Sequence, residues 1–264
     1  MATEEFERLL KPLHEMMEKH QVEFTQTKEK STQWEINLVD LTFMVPQGIK
    51  FTLDSLDPMI FSETFVYDIH FTGFDLQDKV VIDAGGFVGD TALYYAKMGA
   101  IVYTFEPDPN NYEKLIRNLE LNKELSNNIH PINAAIGVDG TLDFPIGGGG
   151  GGSMFTKNFA TFQVKSMSIE QILKTFDITD PFLLHLDIKG AEDLILEDPE
   201  LENFERLRME YSPYLNEKSP KTDDYPAWLT KRLKDIGFEK VRIFKHNDFR
   251  KPLSVHGTVD ASRS

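Results

Sequence analysis

The sequence predicts an α/β fold, a doubly wound parallel sheet preceded by a small α+β lead-in. Two observations carry that reading. From residue 78 onward, short apolar runs alternate with segments of helical periodicity, and the first of those runs ends in an acid followed by a glycine-rich turn. The composition agrees: 264 residues, 41% hydrophobic and 27% charged, suffice for one substantial core and rule out a disordered tail or a fibre.

In order along the chain, residues 1–77 make the lead-in and residues 78–264 the main domain. Phe6, Leu9, Leu10, Leu13, Met16 and Met17 recur at helical spacing, which predicts an amphipathic helix. Its stripe could pack on its own domain or on a second subunit of a homo-oligomer. Trp34 to Val39, Leu41 to Val45 and Ile49 to Leu53 are separated by Asp40 and by Pro46-Gln47-Gly48, the pattern of hairpins. Buried strands follow at Val80 to Ala84, Ile101 to Phe105, Ile129 to Asn133, Phe182 to Asp187 and Leu207 to Tyr211. Helices are predicted over Asp90 to Met98, Asn110 to Asn122 and Ser168 to Phe176. Such alternation implies a parallel sheet covered on both faces, with ligands beyond the carboxyl ends of its strands. Thr141 to Ile146 and Thr161 to Lys165 read as a hairpin whose tip holds the six glycines Gly147 to Gly152, either a surface turn or a lid over substrate.

Charge and missing residues narrow the function. The chain has 28 basic and 43 acidic side chains, a net −15, the wrong sign for a nucleic-acid partner. Eleven acids against four bases crowd residues 190–224, which favours a neutral or cationic small acceptor over a polyanion. Without cysteine there is neither a disulfide nor a thiolate metal site. No run of about 18 uncharged apolar residues signals a membrane span. A cytoplasmic protein is the expectation.

The strand ends carry the chemistry. Val80-Val81-Ile82-Asp83-Ala84-Gly85-Gly86-Phe87-Val88-Gly89-Asp90 is an apolar strand, an acid, a glycine turn and a helix start, where the backbone can approach a ligand closely. The next strand ends in Glu106-Pro107, and a carboxylate there can accept both hydroxyls of a ribose. A dinucleotide fingerprint would put its first glycine on Ala84, and Asp83 stands where a pyrophosphate would lie, so an NAD-dependent oxidoreductase fits less well. S-adenosylmethionine, with a sulfonium, an ammonium, a ribose and no phosphate, meets every demand. The other reading of Asp83 and Glu106 is capping of the turns that follow them.

These motifs, VVIDAGGFVGDTALYYAKMGA, VYTFEPDPNNYEKLIRNLELN, INAAIG and LLHLDIKGAED, resemble the FkbM family of S-adenosylmethionine-dependent methyltransferases, in the branch common in archaea. The likeness runs from about Ile49 to Arg263, taking in Glu63-Thr64, Met209-Glu210-Tyr211 and a closing Gly257 to Arg263. It implies a class I methyltransferase sheet, Rossmann-like, with seven strands and the last antiparallel. It also implies methyl transfer, usually to oxygen, on a small hydroxylated acceptor such as a sugar or lipid headgroup. Carried over by position, Asp83, Ala84, Gly85, Gly86, Phe87, Gly89 and Asp90 would surround the methionine part of the cofactor. Glu106 would take the ribose, Pro107 and Asp108 the adenine edge, and Asn133 with Ala134 would line the adenine. Asp187, Lys189 and Glu192 would be catalytic, with Asp187 also beside the reacting methyl group.

Two departures from the family stand out. Its first turn usually reads D-x-G-A-N-x-G, and Phe87 replaces the asparagine. Its fourth-strand motif is commonly K-x-D-x-E-G-x-E, whereas this chain has His185 and Lys189 at the first and middle charged positions. Strand alternation places His185 and Asp187 on one face. Asp187 could serve as general base or acceptor-positioning group, Lys189 could lower the pKa of an acceptor hydroxyl or hold a substrate carboxylate, and Glu192 could orient either. For His185 a hydrogen-bonded place within the sheet is the plainer role, and for Glu192 favourable charge at a helix N-terminus. Lys189 argues against a metal between Asp187 and Glu192. The altered charges also admit a non-catalytic relative that binds cofactor or partner without turnover.

Overall fold

A computed structural model describes residues 23–26, 41–70, 73–145, 160–217, 219–220, 222, 224–245 and 252–263. The expected helix from Phe6 to Met17, the run Trp34 to Val39 and the glycine tip lie outside them.

In the lead-in, β1 (Glu23–Gln26), β2 (Leu41–Met44) and β3 (Lys50–Thr52) form an antiparallel sheet. Helix α1 (Pro58–Phe65) starts where Asp57 accepts from the backbone N–H groups of Met59 and Ile60 and Pro58 takes the first turn. The α/β alternation runs β4 (Val80–Ala84), α2 (Asp90–Lys97), β5 (Ile101–Phe105), α3 (Pro109–Leu121), α4 (Lys123–Ser126) and β6 (Ile129–Ile132). Next, β7 (Ala135–Ile136), β8 (Gly140–Pro145) and β9 (Thr161–Met167) make a separate small sheet. The chain closes with α5 (Ile169–Thr175), β10 (Pro181–Leu186), α6 (Glu192–Ile195), β11 (Arg206–Tyr211), α7 (Tyr225–Ile236), β12 (Lys240–Phe244) and β13 (Gly257–Ser262).

The main sheet has seven strands in the order β12-β13-β11-β10-β4-β5-β6. The pairs among β6, β5, β4, β10 and β11 are parallel, and β13 runs antiparallel to both neighbours, β11 and β12. This is the class I methyltransferase sheet, Rossmann-like, with its last strand reversed. Strand order turns back between β4 and β10, which opens a crevice at their carboxyl ends.

One face of the sheet, carrying Val81, Val102 and Leu183, packs on Ala92 and Leu93 of α2, and the same apolar cluster takes in Phe43, Phe51, Phe61 and Phe65 of the lead-in. Those four rings touch at centroid distances of 4.7–5.7 Å. The lead-in and the sheet therefore share one core. The other face buries Ile82, Leu184, Leu186, Leu207 and Val259 against Ile172 of α5 and Leu229 and Leu233 of α7.

A polar row crosses the first face. Thr104, Asp83, His185, Arg208, Asp260 and Arg242 are successive register partners on six strands, so their side chains leave the sheet on one side. All but Arg242 are buried. Among the described residues no helix is long and apolar enough to cross a membrane.

Candidate functional site

The floor of the crevice is the turn after β4. The N–H groups of Gly85 and Gly86 both donate to the carbonyl of Phe105, at 3.0 and 2.9 Å, and Asp187 N donates to the Ala84 carbonyl at 2.9 Å. Gly85 has φ +93°, and a Cβ there would lie 2.1 Å from the Asp187 carbonyl oxygen. On Gly86 a Cβ would lie 2.2 Å from Thr104 Oγ1. Only glycine lets β5 and the turn after β10 close this tightly on one loop.

Above that floor lies a cleft of about 960 Å³. The turn and the start of α2 give it Gly85, Phe87 and Asp90; the end of β5 gives Glu106 and Pro107; the turn after β10 gives Asp187 and Lys189. The opposite wall comes from Glu63, Thr64 and His70, in and just after α1, and from Leu142 and Phe144 on β8.

Glu106 is held from two sides. Its Oε2 accepts from Phe87 N at 2.8 Å and its Oε1 from Asp108 N at 2.9 Å. Burial pushes its carboxyl up to about 8, against the pull of those two hydrogen bonds. In its ionised form each oxygen keeps acceptor capacity, since a carboxylate offers about four lone-pair sites. Asp90 accepts from Thr64 Oγ1 at 2.8 Å, and burial raises its carboxyl to about 7.

Lys189 bridges two acids. Its Nζ lies 2.7 Å from Asp187 Oδ1 and 2.9 Å from Glu210 Oε2. Burial works against its charge, but the two carboxylates outweigh that and hold its pKa well above the usual lysine range. Burial also raises the Asp187 carboxyl; Lys189 opposes the shift and Glu210 adds to it. Glu210 reaches on to His256, whose Nδ1 is 3.6 Å from Glu210 Oε1.

Several residues named from the sequence stand behind the cleft. Asp83 is fully buried, with Thr104 Oγ1 donating to Oδ2 at 2.7 Å and His185 Nδ1 lying 2.8 Å from Oδ1. Ala84 and Ala134 are buried, and Gly86 packs under Thr104. Gly89, at φ +86°, caps α2. Asp108 caps α3 by accepting from Asn110 N at 2.8 Å. Asn133 uses its Nδ2 on the carbonyls of Glu106 and Pro107, at 2.8 and 3.3 Å. Glu192 folds back to accept from Gly190 N at 2.9 Å and is buried, its carboxyl raised by burial to about 8.

His70 is legible in the sequence only as a lone histidine without ligand spacing, yet it lines the cleft and packs edge-on against His185 at 4.9 Å. The two also line a second, smaller pocket beside Asp187, with Ile69, Arg208, Glu210 and Thr258. No signal in the sequence pairs residues so far apart. Among the described residues no group of three or more histidines and acids could hold a metal ion.

No curated protein matches the chain. Among solved structures, a fibrillarin/Nop5p complex is 17% identical over 91% of this chain and 93% of that one, with a TM-score of 0.45. A SAM-dependent methyltransferase from Aquifex aeolicus is 14% identical over 79% and 94%, with a TM-score of 0.43. The N-terminal domain of human METTL16 in complex with SAH is 12% identical over 79% and 72%, with a TM-score of 0.43. The family model of the methyltransferase FkbM domain matches residues 83–239. That match covers more than half of the sequence, from Asp83 in β4 to the residue before β12, and the chain belongs to the FkbM methyltransferase domain family.

Proposed function

We propose that the chain is a cytoplasmic, S-adenosylmethionine-dependent methyltransferase that methylates an oxygen of a small hydroxylated acceptor, a sugar or lipid headgroup. The observation that carries the reading is Glu106, a carboxylate oriented by two backbone N–H groups at the rim of a glycine-floored cleft. The residues fit that cofactor. Gly85 leaves room that a Cβ would fill, and the carboxylates of Asp90, Glu106 and Asp187 suit a ligand bearing a sulfonium and an ammonium but no phosphate. When bound, S-adenosylmethionine supplies a methyl group activated by its positive sulfur.

Glu106 accepts the ribose hydroxyls, and Gly85, Phe87 and Asp90 surround the methionine end. Pro107 shapes the adenine edge. Asp83, Ala84, Gly86, Gly89, Asp108, Asn133 and Ala134 act from behind, by fixing the loops that present the others. Asp187 is the acceptor-facing group: it takes the hydrogen bond of the acceptor hydroxyl and then its proton. Lys189 holds Asp187 in place and returns its charge to balance, while Glu192 fixes the turn through Gly190. The protein's contribution is chiefly alignment and proton removal.

Thermal denaturation with S-adenosylhomocysteine tests the reading. A clear rise in melting temperature is expected, lost in Glu106→Ala. Stabilisation by NAD and none by S-adenosylhomocysteine would overturn it.

A further inference from the structure

The small sheet of β7, β8 and β9 has a side that faces the cleft. On β8, Leu142 and Phe144 alternate with the exposed Thr141 and Asp143, so both apolar side chains leave the strand on one side. Both line the cleft, and both stay partly exposed there. The side is held by pairing on both edges of β9. Phe144 pairs with Phe162 of β9 and their rings meet edge-on at 5.9 Å, while Leu142 pairs with the buried Val164. β9 in turn pairs in parallel with β7, and Ser168 N donates to Asp139 Oδ1 at 2.6 Å to close the base of the hairpin.

The position of this wall follows from Glu106. A nucleoside whose ribose hydroxyls meet that carboxylate has its charged amino-acid end and its base on opposite sides of it. The cleft is polarised in the same sense. Asp90, Asp187, Lys189 and Glu63 lie toward the turns after β4 and β10 and toward α1, whereas Phe105, Pro107, Ile136, Leu142 and Phe144 make an apolar end without a charged side chain. Asn133 and Ala134, the residues that family position assigns to the base, do not line the cleft; Asn133 is spent on backbone carbonyls and Ala134 is buried. The apolar surface at that end is supplied by Leu142 and Phe144 of the hairpin together with Phe105, Pro107 and Ile136.

We infer that the β8–β9 hairpin is a cofactor-binding element, with Phe144 and Leu142 forming the surface on which the adenine is laid. The inference rests on the cofactor reading above. A flat π-system against an aromatic ring that a second ring flanks edge-on gains both burial and stacking. Replacing an aromatic platform by alanine costs on the order of tenfold in affinity for the base stacked on it.

Calorimetric titration of the full chain with S-adenosylhomocysteine and with adenosine tests it. Phe144→Ala should weaken both ligands by about tenfold, Phe144→Leu should weaken them less, and Asp143→Ala, on the outer side of the same strand, should leave both unchanged. Because Phe144→Ala could disturb the hairpin, nuclear Overhauser contacts between the adenine protons and the Phe144 ring are read in the unaltered protein as well. Unaltered binding in Phe144→Ala together with no such contact overturns the inference while leaving the cofactor reading intact. Failure of the unaltered protein to bind S-adenosylhomocysteine sinks the cofactor reading, and this inference with it.

Discussion

Lys189 shows how one residue can be visible in a sequence while its partners are not. Its side-chain type and its place after Asp187 suggest a hand held out to an acceptor; its ammonium is in fact shared between Asp187 and Glu210, at 2.7 and 2.9 Å. Glu210 lies on the neighbouring strand, and nothing in the spacing of the two residues announces the pair. With the cation removed, two carboxylates face each other in a partly desolvated site. Lys189→Met should therefore cost about 1–3 kcal/mol in urea denaturation, discounted from a fully buried pair because the lysine retains 20% exposure. Adding Glu210→Gln should return part of that loss, so the double-variant cycle should show coupling of at least about 0.5 kcal/mol. Strict additivity would mean that the bridge contributes nothing. Phe87 is a second case. It sits at φ +43°, where asparagine, the family's usual residue, is far better tolerated. Its N–H nevertheless reaches Glu106, so the turn keeps its shape and its grip on the carboxylate.

Between elements, the main surprise is how the lead-in is joined to the site. Asn118, in the middle of α3, is fully buried; it accepts from Thr52 N at 2.9 Å and donates to Ser55 Oγ at 3.0 Å and to the Val88 carbonyl at 2.9 Å. One turn later, Asn122 meets Lys50 in the manner of a strand, accepting from its N–H at 2.9 Å and donating to its carbonyl at 2.6 Å. Through these two side chains α3 ties the edge of β3 to the glycine turn. Asn118→Ala leaves a buried backbone N–H and a carbonyl without partners, and should lower unfolding free energy by about 2–3 kcal/mol. A loss below about 0.5 kcal/mol, as at an ordinary surface site, would mean that the connection is dispensable. The apolar side of α3, with Leu115 and Leu119, is readable from its period; a polar asparagine on the same buried side has no periodic signature, because its value depends on strands that arrive from elsewhere.

Over the whole molecule, the net charge of −15 hides a second, internal layer of acidity. Asp90, Glu106 and Glu192 are buried, and burial raises each of their carboxyls, to about 7, 8 and 8. The sign of the consequence follows from linkage. For Asp90 the folded value lies above the ordinary 3.8, so its contribution to stability is complete below 3.8 and is lost as pH rises through about 7. Asp90→Asn keeps an acceptor for Thr64 and removes the titration. Measured without ligand, the variant should gain about 2 kcal/mol on the parent between about pH 5.5 and about pH 8.5. A gap that does not change with pH would show that Asp90 is already ionised at the lower value. A cationic ligand in the cleft would favour the carboxylate form, and in this way the site's cost to the free protein becomes affinity.

The sequence by itself determined the five parallel strands β4, β5, β6, β10 and β11, the helices α2, α3 and α5, the β8–β9 hairpin, the glycine turn and the acid that follows β5. These are local facts: an apolar run, a residue without a side chain and a polar strand end each declare themselves within a few positions. Tertiary structure decided which of the marked residues face the cleft. Asp83 turned inward because Thr104 and His185, its register partners on the two flanking strands, present a hydroxyl and an imidazole to it. Leu142, Phe144 and His70 entered the site because a hairpin and a loop distant in sequence fold over it. Whether a side chain meets a ligand or a neighbour depends on what lies across the sheet from it, and that is settled only when the strands have paired.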